Sequence, residues 1–175
     1  MALDLPADVR GRLAAWRDDL VAGRNDLRPV AEEALHVTLA FLGYRAEQEA
    51  GAIAEAMTSA AGDAPLLVPD AVKPIPPRRP RLFALDLEDP DGTCMRLQQA
   101  VSDALEAGRF YKPEKRPFWP HVTLARVKRN QRAEPLPADP PPLDPFHAPQ
   151  LTLYRSTLRP QGAKYDALAT APLTF

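Results

Sequence analysis

The chain has 175 residues, a formal net charge of -1, 45% hydrophobic and 26% charged residues, which describes one globular domain or two small lobes sharing a cleft and excludes wholesale disorder. No run approaches the ~18 apolar residues of a membrane span, and the first six residues lack the basic and apolar regions of a signal peptide. The single cysteine, Cys94, excludes a disulfide framework and a Cys-based metal cluster, so the cytoplasm is the expected compartment.

Val9, Leu13, Trp16 and Leu20 recur at helical spacing and predict a helix over 7–22, closing near Gly23. A strand-like run follows at His36–Leu42, then a helix over 46–60 with Ala50, Ile53, Ala54 and Met57 on one face. Leu66–Val72 reads as a strand, and the proline cluster Lys73–Pro80 (KPIPPRRP) as an extended connector. Arg81–Leu87 is the next strand. A helix over 92–107 turns Cys94, Leu97, Val101 and Leu105 inward, with Asp91 as its N-cap. After a strand at His121–Lys128, seven prolines between Glu134 and Pro149 rule out a helix or a central strand. These account for much of a proline content of 21 residues. Strands at Leu151–Leu158 and Tyr165–Thr174 complete the chain.

Two short sequences occur twice. Ala-Leu-Asp-Leu stands at 2–5 and 84–87, and His-Val-Thr-Leu-Ala at 36–40 and 121–125, with offsets of 82 and 85 residues. Each copy reads strand, helix, loop and His-containing strand, so an internal duplication about a pseudo-twofold axis is expected. Only Met1 precedes the first Ala-Leu-Asp-Leu, whereas Arg81-Leu82-Phe83 precedes the second, and the first strand reads as clipped.

Side chains alternate along a strand, so His36 and Thr38 share a face, as do His121 and Thr123. If the halves pack about a twofold axis, two imidazoles and two hydroxyls meet across one cleft. Two histidines can act as general base and general acid in one displacement, and two threonine hydroxyls can donate to the oxygens of a tetrahedral anion. A phosphodiester suits this set. A structural role fits a lone strand histidine, but not two of the chain's three at equivalent positions, each followed by Thr. Zinc fails on ligand count, so no metal or cofactor is expected. His147 reads as a solvated connector residue.

From Arg109 to Arg132 eight basic residues face one acid, giving +7, with Phe110, Tyr111, Phe118 and Trp119 interleaved. That pattern suits a single-stranded nucleic acid end, although plain solvated surface and core packing remain open for these residues. Arg78, Arg79 and Arg81 extend it.

The paired His-x-Thr motifs resemble those of the two-histidine (2H) phosphoesterase superfamily. His36–Gly43 (HVTLAFLG), Arg116–Val127 (RPFWPHVTLARV) and Leu153–Leu158 (LYRSTL) with Gly162 and Tyr165 resemble the RNA 2′,3′-cyclic phosphodiesterases, also called 2′-5′ RNA ligases. The resemblance covers nearly the whole chain. It implies a bilobal α+β fold, with two antiparallel sheets and outer helices flanking a central cleft. The first half is expected over 1–73 and the second over 81–130, with strands in 150–175 completing the sheets. It implies metal-independent hydrolysis of RNA 2′,3′-cyclic phosphate ends to 2′-phosphomonoesters. His36 would be the proton donor, His121 the proton acceptor, and Thr38 and Thr123 the phosphate-holding hydroxyls. Sequence does not fix the direction of proton transfer. Phe118 and Arg126 are further substrate-binding candidates, although strict alternation points Arg126 away from His121. RNA ends are the expected partner, no membrane is implied, and a monomer is expected. A cyclic phosphodiesterase of small nucleotides, a reversible 2′-5′ ligase and a non-catalytic RNA-binding module are the alternatives.

Overall fold

The repeated Ala-Leu-Asp-Leu and His-Val-Thr segments form neighbouring strands, twice over. In chain order the elements are β1 (Ala2–Asp4), α1 (Ala7–Leu20), β2 (Leu27–Pro29), β3 (His36–Thr38), α2 (Ala50–Ser59), β4 (Leu66–Ile75), β5 (Leu82–Glu88), α3 (Thr93–Ala107), β6 (His121–Val127), β7 (Phe146–His147), β8 (Gln150–Arg159) and β9 (Gly162–Pro172). The computed structural model describes residues 1–137, 139–160 and 162–175; Ala138, within the connector expected over 134–149, and Gln161 lie outside the described residues.

In the antiparallel pair β1–β3, Ala2 faces Thr38, Leu3 faces Val37 and Asp4 faces His36. In β5–β6, Ala84 faces Thr123, Leu85 faces Val122 and Asp86 faces His121. The two copies therefore share one register. The middle pair of each, Leu3–Val37 and Leu85–Val122, is at most 1% exposed and packs into one continuous core. That fixes the register, because a one-residue slip would turn these side chains outward. Burial of each such side chain stabilises the fold by about 1.5–3 kcal/mol.

The two halves meet where Val37 pairs with Val122, so the two expected sheets are joined into one path, β7-β4-β5-β6-β3-β1-β8-β9, with β2 also against β6. The α+β class holds. Of the predicted helix faces, Val9, Leu13, Ile53, Met57, Cys94, Leu97, Val101 and Leu105 are buried, while Trp16, Leu20 and Ala54 pack partly buried at the edge of the core.

Several boundaries differ from expectation for local reasons. β4 runs to Ile75, into the proline cluster, because its outer side is paired only at Leu66 and Leu67 and Pro74 has no donor to place there. Among its described residues the seven-proline segment supplies the two-residue β7, at the end of the sheet path; His147 lies in it, exposed as expected, with its Nδ1 3.0 Å from the Ala64 carbonyl. The helix expected at 46–60 starts with a 3₁₀ turn at Glu47–Glu49 before α2. Gly92, at φ 71°, is the N-cap of α3 instead of Asp91. Asp91 still accepts from the Thr93 N–H at 3.0 Å, and Asp89 accepts from the Cys94 and Met95 N–H groups at 3.0 and 2.9 Å. Two carboxylates thus satisfy three donors at the helix end where negative charge is favoured.

Candidate active site

The Val37–Val122 pair brings the two motifs together. In an antiparallel register centred on that pair, His36 lies across from Thr123 and Thr38 across from His121. Both valines are fully buried, so the histidines and threonines take the opposite face. Directly facing Cβ atoms lie about 4.5–5.5 Å apart and diagonal ones about 7–8 Å, which leaves room for one phosphate between the histidines. The face opens into a cleft of about 1630 Å³ whose wall includes His36, Thr38, Thr123 and Arg126. His121 is half-buried and does not belong to that wall, although it shares a face of β6 with Thr123.

Arg126 is in the cleft because of a β-bulge. The ladder pairs Ala84 with Thr123 but Phe83 with Ala125, so Leu124 is the extra residue. Leu124 and Ala125 are both fully buried, and the alternation restarts one residue later. Arg126, facing Leu82, therefore shares a face with Thr123. The strict-alternation expectation is corrected by this bulge. Opposite it on β2 stands Arg28, which also lines the cleft.

The two histidines sit in different surroundings. His36 stacks on Tyr154, centroids 5.5 Å apart and planes at 20°, and meets the edge of Tyr165 at 4.9 Å. Its Nδ1 is buried and finds no hydrogen-bond partner among the described residues. Burial pulls its pKa down to about 4, with the positive N-terminus adding to the effect and Asp4 opposing it. His121 stacks on Trp119 at 4.3 Å and 17°, and its Nδ1 lies 2.7 Å from the Trp119 carbonyl oxygen. That contact places the neutral ring's proton on Nδ1 and leaves Nε2 as an acceptor.

The remaining expected site residues are not brought to the cleft. Phe118 is half-buried against the core and is not part of the wall. Of the eight basic residues between Arg109 and Arg132, only Arg126 lines it. The other cations of the wall, Arg28, Arg45, Arg155, Arg159 and Lys164, come from elsewhere; Glu33 and Glu47 also line it, Glu49 lies 3.9 Å from Arg45, and Asp166 pairs with Lys164 and lies 4.0 Å from Arg155. Phe41, Tyr44 and Leu158, respectively 75%, 96% and 87% exposed, stand among these cations. Sequence reasoning missed the β8–β9 cations because they are scattered through an alternating strand pair and form no run. Asp4 and Asp86 were also missed, although an acid inside a repeated apolar tetrapeptide was a readable signal.

The family model described as the 2′-5′ RNA ligase superfamily matches residues 5–159. The chain belongs to this superfamily. Among relatives of this superfamily member, an RNA 2′,3′-cyclic phosphodiesterase of Escherichia coli (strain K12) is 32% identical over 181 residues, covering 99% of this chain and 94% of that protein. One from Aeropyrum pernix is 34% identical over 119 residues, 67% of each chain. The crystal structure of TT0787 of Thermus thermophilus is similar at a TM-score of 0.83 and 29% identity, covering 98% of this chain and 95% of that one. Apo E. coli LigT is similar at 0.79 and 29%, covering 99% and 95%. Among the described residues of this 2′-5′ RNA ligase superfamily chain, no helix is long and apolar enough to cross a membrane, and no three His, Cys, Asp or Glu side chains are placed to hold a metal ion.

Proposed function

We propose that this chain hydrolyses 2′,3′-cyclic phosphate at RNA ends to a 2′-phosphomonoester, with His36 as proton donor and His121 as proton acceptor. The observation that carries the reading is the Val37–Val122 pair, whose antiparallel register puts each histidine across from the other motif's threonine. The names of the relatives support the substrate.

Thr38 and Thr123 donate hydroxyl hydrogen bonds to the non-bridging oxygens, and Arg126 with Arg28 supplies positive charge at the same face. Nε2 of His121 takes a proton from water as its oxygen bonds to phosphorus. The bond from phosphorus to O3′ breaks, and His36 Nε2 gives its proton to that oxygen. The product carries a 2′-phosphate and a free 3′-hydroxyl, and solvent restores both imidazoles. The form of His36 that donates is the imidazolium, protonated at both ring nitrogens, because a neutral imidazole is no acid at working pH. The negative charge of the bound diester then supports the imidazolium that burial disfavours.

An RNA end fits better than a small cyclic nucleotide. A drug-sized ligand fills about 300–1,000 Å³, and this cleft is larger at about 1630 Å³. Its cations and exposed Phe41 and Tyr44 suit further phosphates and bases. A 2′,3′-cyclic phosphate closes the 3′ end, so these nucleotides all lie on its 5′ side.

The test is incubation with a 2′,3′-cyclic-phosphate oligoribonucleotide in EDTA, with the product's phosphate position identified. Formation of the 2′-phosphomonoester is expected. No turnover, or turnover only on adding metal, overturns the reading. His36→Ala and His121→Ala are each expected to cost about 10²–10⁴ in kcat.

A further inference from the structure

Neither aspartate of the repeated tetrapeptide touches the cleft, and the proton transfers above use neither. Asp4 is 8% exposed and accepts three hydrogen bonds: from Gln150 Nε2 at 2.6 Å, Thr152 Oγ1 at 2.7 Å and the Tyr154 hydroxyl at 2.7 Å. Asp86 accepts from the Trp119 indole N–H and from the Lys73 ammonium. Tyr154 and Trp119 are the two rings that lie flat on His36 and His121, at 20° and 17°. Each aspartate is the cross-strand partner of the histidine in question. We propose that Asp4 and Asp86 are positioning residues that aim His36 and His121 through the aromatic ring each one anchors.

The two rings do not come from the duplication. Trp119 lies two residues before its histidine, whereas Tyr154 comes from β8, on the far side of β1. Different residues in different elements arrive at the same stacked geometry by bonding the same register position. Coincident packing gives no reason for the polar edge of each ring to meet the aspartate facing the histidine. The lateral contacts agree: Thr152 faces Ala2 and Lys73 faces Ala84, so both second partners of the aspartates occupy equivalent positions. Burial and Asp4 together raise the Tyr154 phenol well above its usual range, which keeps its O–H a donor at working pH.

The direct alternative, an aspartate bonded to the imidazole, is not what the structure shows. His121 Nδ1 lies against the Trp119 carbonyl oxygen, and Asp86 holds the other end of the same residue. Trp119 is therefore clamped at its main chain and its indole nitrogen, with the imidazole laid against the ring between them. A ring free to tilt moves Nε2 relative to the phosphate, and a displacement of about 1 Å at a reacting atom costs about 100-fold.

This inference rests on the proposed reaction, so its test reads both turnover and the resting protein. Tyr154→Phe keeps its ring and removes the O–H, Trp119→Phe leaves a smaller aromatic ring without an N–H, and Asp86→Ala removes the anchor. Each is expected to fold, by thermal melting, and to lower kcat about 10- to 100-fold while KM changes less than about 3-fold. Trp119→Phe combined with Asp86→Ala is expected to be no worse than either alone. In a His121→Ala background Asp86→Ala is expected to cost nothing more. An equal loss in that background, or a change confined to KM, overturns the proposal. NMR of the unliganded protein gives the second readout: the His121 ring-proton shifts are expected to move in Asp86→Ala and Trp119→Phe, and unmoved shifts overturn the proposal even if no substrate is turned over. Wild-type protein that fails on every cyclic phosphate, with the shifts moving as expected, overturns the reaction and leaves the positioning intact.

Discussion

The direction of proton transfer can be tested by changing the atom that leaves. If His36 protonates O3′, a substrate with sulfur in place of that oxygen no longer needs it, because a thiol with a pKa of about 8.5 departs readily as its anion. The structure sets the size of the effect. With His36 held at about 4 in the free protein, only about one molecule in a thousand carries that proton at pH 7, each pH unit being tenfold. The oxygen substrate draws on this minor form, or on the fraction that its own phosphate charge stabilises; the sulfur substrate draws on the whole population. On the oxygen substrate, His36→Ala and His121→Ala are each expected to lose about 10²–10⁴ in kcat. On the 3′-phosphorothiolate, His36→Ala is expected to lose less than about 10-fold, while His121→Ala keeps its full loss because water still needs a base. The assay is initial rate by thiol release for the sulfur substrate and by product separation for the oxygen one. Rescue of His121→Ala instead reverses the roles, and rescue of neither or both refutes the one-acid, one-base scheme. A pH–rate profile cannot substitute. The two arrangements of one proton on two imidazoles contain equal numbers of protons and give the same limbs.

Other outcomes follow from the same geometry. Because folding depresses His36 from 6.5 to about 4, the unfolded chain binds more protons between those values, so stability falls as pH drops through that window, by up to about 3 kcal/mol; His36→Gln is expected to flatten this part of a denaturant-midpoint-against-pH curve, and an unchanged slope refutes the assignment. Arg126→Ala is expected to raise KM for a cyclic-phosphate oligoribonucleotide and to shallow its salt dependence by about one phosphate contact; a mutant with wild-type KM and salt slope would place the guanidinium away from substrate. Removing Arg155, Arg159 and Lys164 together is expected to raise oligonucleotide KM more than removing Lys112, Lys115 and Arg116 together, and the opposite ranking by steady-state kinetics would return the RNA track to the segment around the second motif. Cyclic-phosphate trinucleotides are expected to exceed mononucleotides in kcat/KM, with the advantage shrinking in high salt; equal values refute the extended RNA track.

What the sequence disclosed was whatever the duplication had copied. Identical registers in β1–β3 and β5–β6 need the same alternation of inward valine or leucine and outward histidine or threonine, so repetition exposed both catalytic candidates without any contact being known. What it concealed were relations between strands. The bulge at Leu124 has no marker in its own residues, since Thr-Leu-Ala also follows Val37, and it takes the pairing with β5 to show that Arg126 turns into the cleft. The basic run from Arg109 was conspicuous because it is local, while Arg28, Arg155, Arg159 and Lys164 converge only through folding. The parts that escaped the repeat are also those that distinguish its two histidines. One imidazole is stacked on a tyrosine from β8 with its Nδ1 buried and without a partner among the described residues; the other lies on a neighbouring tryptophan whose carbonyl oxygen meets its Nδ1. A perfect duplication would give both imidazoles the same surroundings; here burial pulls His36 to about 4, the direction that disfavours the charged form a proton donor needs, so the charge of the bound diester has to offset it. The duplicated residues provide the pair, and the unduplicated ones around Tyr154 and Trp119 make it a pair of unequal members.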